Sequence, residues 1–243
     1  MVAKIAWLIF ARASSTRLPK KCYQLIDGKV ILEHIVRDAV SNGVQPDTIF
    51  LCTSGEHNNR RLAKIAISLG IKVLYGPEEC PTLRIVENEN ILSGFDYIVR
   101  ICGDSPLFQS AIVLKAIKLA PKISASPIAI TNVINRKFPN GLSIEIYSFS
   151  HLMKLLLENR DLAQNEHLSS ILFSSVMRDK TILKITPLSA IPLRFMNKYT
   201  VDTMLDLENI RDLFRTHQDR DIKEFFNMLD ICLEVDSPLD RIS

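Results

Sequence analysis

The chain lacks a CxxC pair, an HExxH motif and any uninterrupted apolar segment near the roughly 20 residues that a bilayer-spanning helix needs. Its five cysteines, Cys22, Cys52, Cys80, Cys102 and Cys232, are odd in number and scattered. They read as reduced thiols of a cytoplasmic protein rather than as a disulfide framework. The five histidines fall at no metal-ligand spacing, which argues against zinc. Glycine is sparse, at eight in 243 residues, and neither GxxxxGK[ST] nor GxGxxG occurs. Both common glycine-rich phosphate turns are therefore absent. A strong charge bias is missing too: the net charge is +3, whereas a general nucleic-acid binder needs a basic face. Neither nucleic acid nor membrane is expected as a partner. There is no internal repeat, low-complexity tract or linker.

What is present is enough apolar material for a sizeable core, 47% of residues, over a length that suits one large α/β domain. Lys4 and the stretch "IAWLIFA", with Ala11 and Ala13 after it, resemble a short signal peptide. The same residues read as a strand buried on both faces, "KIAWLIF" at 4–10. Helical spacing follows in Ile31, Leu32, Ile35, Val36, Ala39 and Val40. The pattern then runs strand 48–53, helix 58–69 with Gly70 beyond it, strand 71–75, a less regular helix 82–94, strand 96–102 and helix 109–119. Strands alternating with helices predict a mostly parallel, Rossmann-like α/β sheet with right-handed crossovers. Further on, strands are expected at 129–133, 142–149, 181–186 and 198–201. Helices are expected at 150–159, 164–177, 203–216 and 220–230. The whole of 1–243 reads as a single domain, with a dimerisation or acceptor subdomain at about 136–195.

Between the first strand and first helix lies "ARASSTRLPKK", which places Arg12, Arg17, Lys20 and Lys21 within ten residues and no acid among them. In an open α/β sheet, ligands bind at the carboxyl ends of the strands. A cationic loop there suits a small anion such as a phosphate group, although a solvated basic loop would read the same way.

This loop resembles the ARxGSTRLPGK signature of the cytidylyltransferases that make CMP-activated sugars. These include the 3-deoxy-manno-octulosonate and acylneuraminate enzymes, with the spore-coat polysaccharide protein F group most alike. Further blocks keep the order of that family: "DGKVILEHIV", "YIVRICGDSPL", "FPNGLSIEIYSF", "NEHLS" and "YTVDTMLDLENIR". Together they span residues 5 to about 215. The resemblance implies a nucleotide-diphospho-sugar transferase fold and Mg²⁺-dependent transfer of CMP from CTP to a sugar acid or related acceptor. Pyrophosphate would be released, and the setting would be surface-polysaccharide synthesis by a homodimer.

By motif position, Ala11, Arg12, Ser15, Arg17, Lys21, Arg84 and Asp104 would contact the nucleotide. Arg12, Lys21 and Asp104 would be catalytic. Asp104 and Asp202 would hold Mg²⁺, since a hard cation that keeps water needs only one or two carboxylates. Glu145, Glu166 and His167 would meet the acceptor. Each acid also has a plainer reading. Asp104 lies in the turn sequence Gly-Asp-Ser-Pro. Asp202 or Thr203 could cap the helix that follows, with Asp206 completing a capping box. Arg100, a charge within an apolar strand, reads as half of a structural ion pair or as a ligand contact. Glu145 could face solvent, and Glu166 and His167 could pair locally.

The sequence departs from the family in three places. Ser14 and Lys20 stand where the loop usually has glycines. His57, Asn58 and Asn59 stand where acids are usual in a stretch that contributes to base recognition in relatives. The segment "GPEECPTLRIVENEN" lacks the DVLxRY block. Two alternatives therefore stand beside the enzyme: a diverged nucleotide-sugar-binding protein, or a glycosyltransferase on the same fold. The latter would normally want a DxD motif, and none occurs before residue 200.

Overall fold

The computed structural model describes residues 3–236 apart from 56, 125, 135 and 165–167. In chain order its elements are β1 (Ile5–Phe10), β2 (Leu25–Ile26), β3 (Lys29–Val30), α1 (Ile31–Ser41), β4 (Ile49–Ser54), α2 (Arg60–Ser68), β5 (Lys72–Gly76), α3 (Leu83–Val86), α4 (Glu89–Leu92) and β6 (Tyr97–Cys102). There follow α5 (Ser110–Leu119), β7 (Ala129–Thr131), β8 (Glu145–Ser148), α6 (Phe149–Glu158), α7 (Arg160–Ala163), β9 (Ile182–Pro187), α8 (Met204–Arg215), α9 (Gln218–Met228) and β10 (Ile231–Val235).

Eight strands form one sheet in the order β10-β9-β7-β8-β6-β1-β4-β5. β1 pairs in parallel with both β4 and β6, and β4 with β5. β8 runs antiparallel between β6 and β7, and β10 closes the far edge antiparallel to β9. The strand runs are apolar without interruption because both faces are covered. Trp7, Ile9, Leu51 and Val99 point into one layer with α1, α2, α5, α8 and α9. Ala6, Leu8, Phe50 and Ile98 point into the other, with α3, α4 and α6. Period-two alternation thus survives as a division between two dry faces.

Several expectations need correcting. Residues 198–201 form no strand. Tyr199 and Val201 are buried, but each makes one isolated backbone bond, Tyr199 N–H to Asn140 O at 2.7 Å and Val201 N–H to Asp104 O at 2.9 Å. Burial alone gives the apolar pattern of a strand without a ladder. The expected helix at 164–177 is instead a set of 3₁₀ turns at Leu168–Phe173 and Ser175–Met177, following the short α7. The 82–94 helix divides into α3 and α4 around Glu87 and Asn88. The helices expected at 203–216 and 220–230 are α8 and α9, and a further strand, β10, follows them. Between the basic loop and α1 stands a further element, the β2–β3 hairpin, whose two-residue turn is Asp27-Gly28, both at positive φ (47° and 72°), as a tight hairpin turn requires. β8 and β9, which fall within 136–195, are built into the main sheet.

Candidate active site

The parallel strands β1, β4, β5 and β6 end along one edge. The ladder continues one step further there, with Gly103 N–H on Phe10 O at 2.9 Å and Ala11 N–H on Cys52 O at 3.3 Å. At Gly103 the two chains approach so closely that a Cβ would lie 2.5 Å from Ala11 Cβ and 2.7 Å from Phe10 O. Glycine is needed at that step for packing. Asp104 follows directly and is thereby set beside the basic loop.

A cavity of about 500 Å³ opens at this edge, and Ala11, Arg12, Ser15, Arg17, Lys21, Arg84, Arg100, Asp104 and Glu145 all line it. The loop is not a loose cationic strand. Leu18 and Cys22 are buried, Lys21–Tyr23 forms a 3₁₀ turn, and Lys20 takes the left-handed conformation at φ 56°. That conformation explains why related loops use glycine at this position. Lysine holds it at a cost of about 1 kcal/mol.

Folding supplies the acids that the loop's own sequence lacks. Arg17 pairs with Asp202 at 3.0 Å. The Lys21 ammonium lies 2.9 Å from Asp104 and 3.4 Å from Asp202. Arg12 donates to the Glu78 carbonyl at 3.0 Å, and its guanidinium is 3.8 Å from the Glu78 carboxylate. Two aspartates separated by 98 positions in the sequence thus aim oxygens at one ammonium, held in register by the Val201–Asp104 backbone bond. Such an oxygen-only donor set suits a hard cation. Among the described residues, no group of three or more His, Cys, Asp or Glu side chains is placed to hold a metal.

The choice of helix cap is settled in favour of Thr203. Its hydroxyl accepts from Asp206 N–H, and the Asp206 carboxylate accepts from Thr203 N–H, a full capping box. Asp202 is left to face the cations. Burial works against its charge, but Lys21, a hydrogen bond from Lys198 and Arg17 outweigh that and pull its pKa down. Asp206 is drawn down to about 2 against burial by Lys198 and the backbone N–H groups of Thr203 and Asp202. Lys198 bridges the two acids, at 3.3 Å from Asp202 and 2.7 Å from Asp206.

Arg84 is buried, and its guanidinium donates to Pro77 O, Cys52 O and Glu78 O at 2.9, 3.1 and 2.9 Å. It shapes the loop after β5 as well as lining the cavity. Arg100 donates to Glu145 at 2.6 Å, and Tyr147 OH donates to the second Glu145 oxygen at 2.9 Å. Arg100 thus has the structural partner its burial required, and Glu145 is not a solvent-facing residue. Glu166 and His167 lie outside the described residues.

Sequence reading missed Glu78, Lys198 and Arg136, the last of which lines the cavity. Lys198 carried a faint signal, its i,i+4 spacing to Asp202. Glu78 carried none, because its side-chain partners Ser14, Ser54 and Asn59 are remote in sequence.

An open α/β sheet binds its ligands at the carboxyl ends of its strands, and in this protein that edge carries paired cations and carboxylates. A family model described as cytidylyltransferase matches residues 6–225, and the chain belongs to the cytidylyltransferase family of nucleotide-transferring enzymes. An uncharacterised protein of Methanocaldococcus jannaschii is 26% identical over 93% of this chain and 90% of its own length. A 3-deoxy-manno-octulosonate cytidylyltransferase of Rickettsia bellii is 29% identical over 123 residues, 47% of this chain and 46% of that relative. The chain spans about half the length of such relatives. Among solved structures, a cytidylyltransferase from Leptospira borgpetersenii superposes with a TM-score of 0.76 at 24% identity, over 91% of this chain and 97% of that one. CMP:2-keto-3-deoxy-manno-octonic acid synthetase complexed with CTP gives 0.60 at 18% identity, over 88% and 100%. These two likenesses establish the fold. No helix among the described residues is long and apolar enough to cross a membrane.

Proposed function

We propose that this chain transfers CMP from CTP to a hydroxyl of a sugar acid or similar acceptor, releasing pyrophosphate, in surface-polysaccharide synthesis. The observation that carries the reading is the convergence of Arg17, Lys21, Asp104 and Asp202 at the ends of β1 and β6. In the reaction the acceptor hydroxyl gives up its proton to solvent as its oxygen bonds to the α-phosphorus. The bond from that phosphorus to the bridging oxygen breaks, and pyrophosphate leaves with the electron pair. Such a transfer asks for positioning and charge neutralisation rather than covalent help from the protein. Arg12, Arg17 and Lys21 would take the phosphate charges, and arginine can do so through two parallel hydrogen bonds. Asp104 and Asp202 would hold Mg²⁺, which neutralises phosphate charge when bound.

Before nucleotide arrives, the Lys21 ammonium spans the two carboxylates. A triphosphate would offer it stronger anionic partners, which would leave Asp104 and Asp202 free to hold Mg²⁺. Glu145, oriented by Arg100 and Tyr147, would stand at the acceptor end. The test measures pyrophosphate release with CTP, UTP, ATP and GTP in turn, over a panel of sugar acids with Mg²⁺. Turnover with CTP and at least one sugar acid is expected. Binding of nucleotide without pyrophosphate release from any pairing would support a diverged binding protein instead.

A further inference from the structure

Three loops meet at Glu78, a residue outside every motif of the family resemblance. Its carboxylate accepts hydrogen bonds from Ser14 Oγ, Ser54 Oγ and, at 3.5 Å, Asn59 Nδ2. Its carbonyl accepts from Arg12 Nη1 at 3.0 Å and Arg84 Nη2 at 2.9 Å. Asn59 is buried and completes the junction: Nδ2 donates to Ser54 Oγ at 2.6 Å, and Oδ1 accepts from Ala13 N–H at 2.7 Å. One residue after β5 is thus tied to the loop after β1 and the loop after β4, the segments that shape this end of the cavity.

From this geometry we infer that Glu78 is a positioning residue for phosphate binding. It holds the Ala13–Ser14 backbone and aims Arg12 into the cavity through Ser14, Ser54 and Asn59. Ser14 replaces the family glycine not by copying its backbone freedom, since its φ is not positive, but by adding a hydroxyl for this carboxylate. Asn59, in the stretch where relatives carry acids, supplies the amide that a carboxylate could not: one group that both accepts from Ala13 and donates toward Glu78. Burial works against the charge on Glu78, but the two serine hydroxyls and Arg12 outweigh it and keep the carboxyl below its ordinary range.

The inference rests on the reading of the cavity as a nucleotide triphosphate site, so the probe is chosen to separate the two. Inorganic tripolyphosphate is titrated by calorimetry into wild type, Glu78→Gln and Glu78→Ala, with thermal melts of each. Positioning and simple charge balance give opposite signs for Glu78→Ala. The two serines donate to different Glu78 oxygens; glutamine keeps an acceptor oxygen for Ser54, offers an amide N–H to the Ser14 hydroxyl and removes a charge that opposes phosphate, so its affinity should stay within about threefold of wild type. Alanine releases the loop, and its affinity should fall about tenfold or more. Tripolyphosphate bound by Glu78→Ala as tightly as by wild type, or more tightly, would overturn the inference. If Glu78→Ala does not fold, Ser14→Ala removes one arm of the same junction. It should weaken binding about threefold, and unchanged affinity would overturn the inference equally. A parallel titration with CTP separates the readings. Wild type that binds tripolyphosphate but not CTP would defeat the CTP reading and leave the Glu78 comparison intact. Wild type that binds neither would defeat both.

Discussion

At the scale of single residues, the site sets cations against carboxylates in closely spaced pairs. Lys21 and Arg17 are each held by aspartates that a metal and a triphosphate would contest. Asparagine keeps the shape and one oxygen of Asp104 and Asp202 but removes the charge. Asp104→Asn and Asp202→Asn should therefore leave the fold within about 1 kcal/mol of wild type, since Asn suits the turn and Thr203 carries the cap. Turnover should fall by about 100-fold or more in each, with a higher Mg²⁺ requirement. Near-wild-type turnover of Asp104→Asn at limiting Mg²⁺ would refute the two-aspartate arrangement.

Asp206 sets a pH dependence of its own. Its folded pKa, about 2, is below the ordinary carboxylate value. The stability it contributes is therefore fully present above the unfolded pKa and is lost as pH falls through the folded one. Melting temperature should drop between about pH 4 and pH 2, and Asp206→Asn should flatten that part of the curve. An identical acid limb in wild type and variant would argue against it.

At the scale of elements, β6 does two jobs. Its apolar residues fill both layers, and it carries one largely covered guanidinium whose charge is met across the ladder by the buried Glu145 of β8. Arg100 and Glu145 are register partners in an antiparallel pair, so the ion pair also fixes which residue of β8 faces the cavity. Removing one partner of a buried pair strands the other. Arg100→Met should cost about 3–5 kcal/mol in denaturant unfolding, whereas the double change Arg100→Met, Glu145→Gln should recover part of it. A single-variant loss under about 1 kcal/mol would mean that solvent compensates Glu145. The α8 start shows a related economy: one carboxylate, Asp206, caps the helix, anchors the Asp202 N–H at 3.0 Å and binds Lys198.

At the scale of the whole molecule, the region 136–195 carries exposed apolar side chains on its helix, turns and loops, among them Leu157, Phe173, Leu188 and Leu193, the last 89% accessible. We propose that this region joins two copies of the chain. Light scattering at micromolar concentration should give twice the 27.5 kDa chain mass, and a Leu193→Glu, Leu188→Lys variant should shift it toward the monomer. A wild-type monomer under those conditions would sink the idea.

Much of this protein could be read from its sequence because the reasons were local. The apolar runs of β1, β4 and β6 are long enough to mark strands buried on two faces, and the helical stripes of α1 and α8 are regular. The succession of strand and helix then leaves little choice but a parallel sheet with ligands at its carboxyl edge. The basic loop was visible as a short pattern at a strand end, and both aspartates through the motifs of the family resemblance, although Asp202 follows no strand. Non-local contacts were not. Tyr199 and Val201 show a strand's composition, yet they are buried without a ladder. β10 is a strand only because β9 offers it an edge. The loop after β1 looked like unopposed positive charge because its acids lie at positions 78, 104 and 202. The sequence by itself determined which chemistry the edge could host, since side-chain type and periodicity are properties of neighbours along the chain. Only the tertiary structure decided which acid faces which cation, because ion pairing depends on a few ångströms of separation that chain distance does not encode.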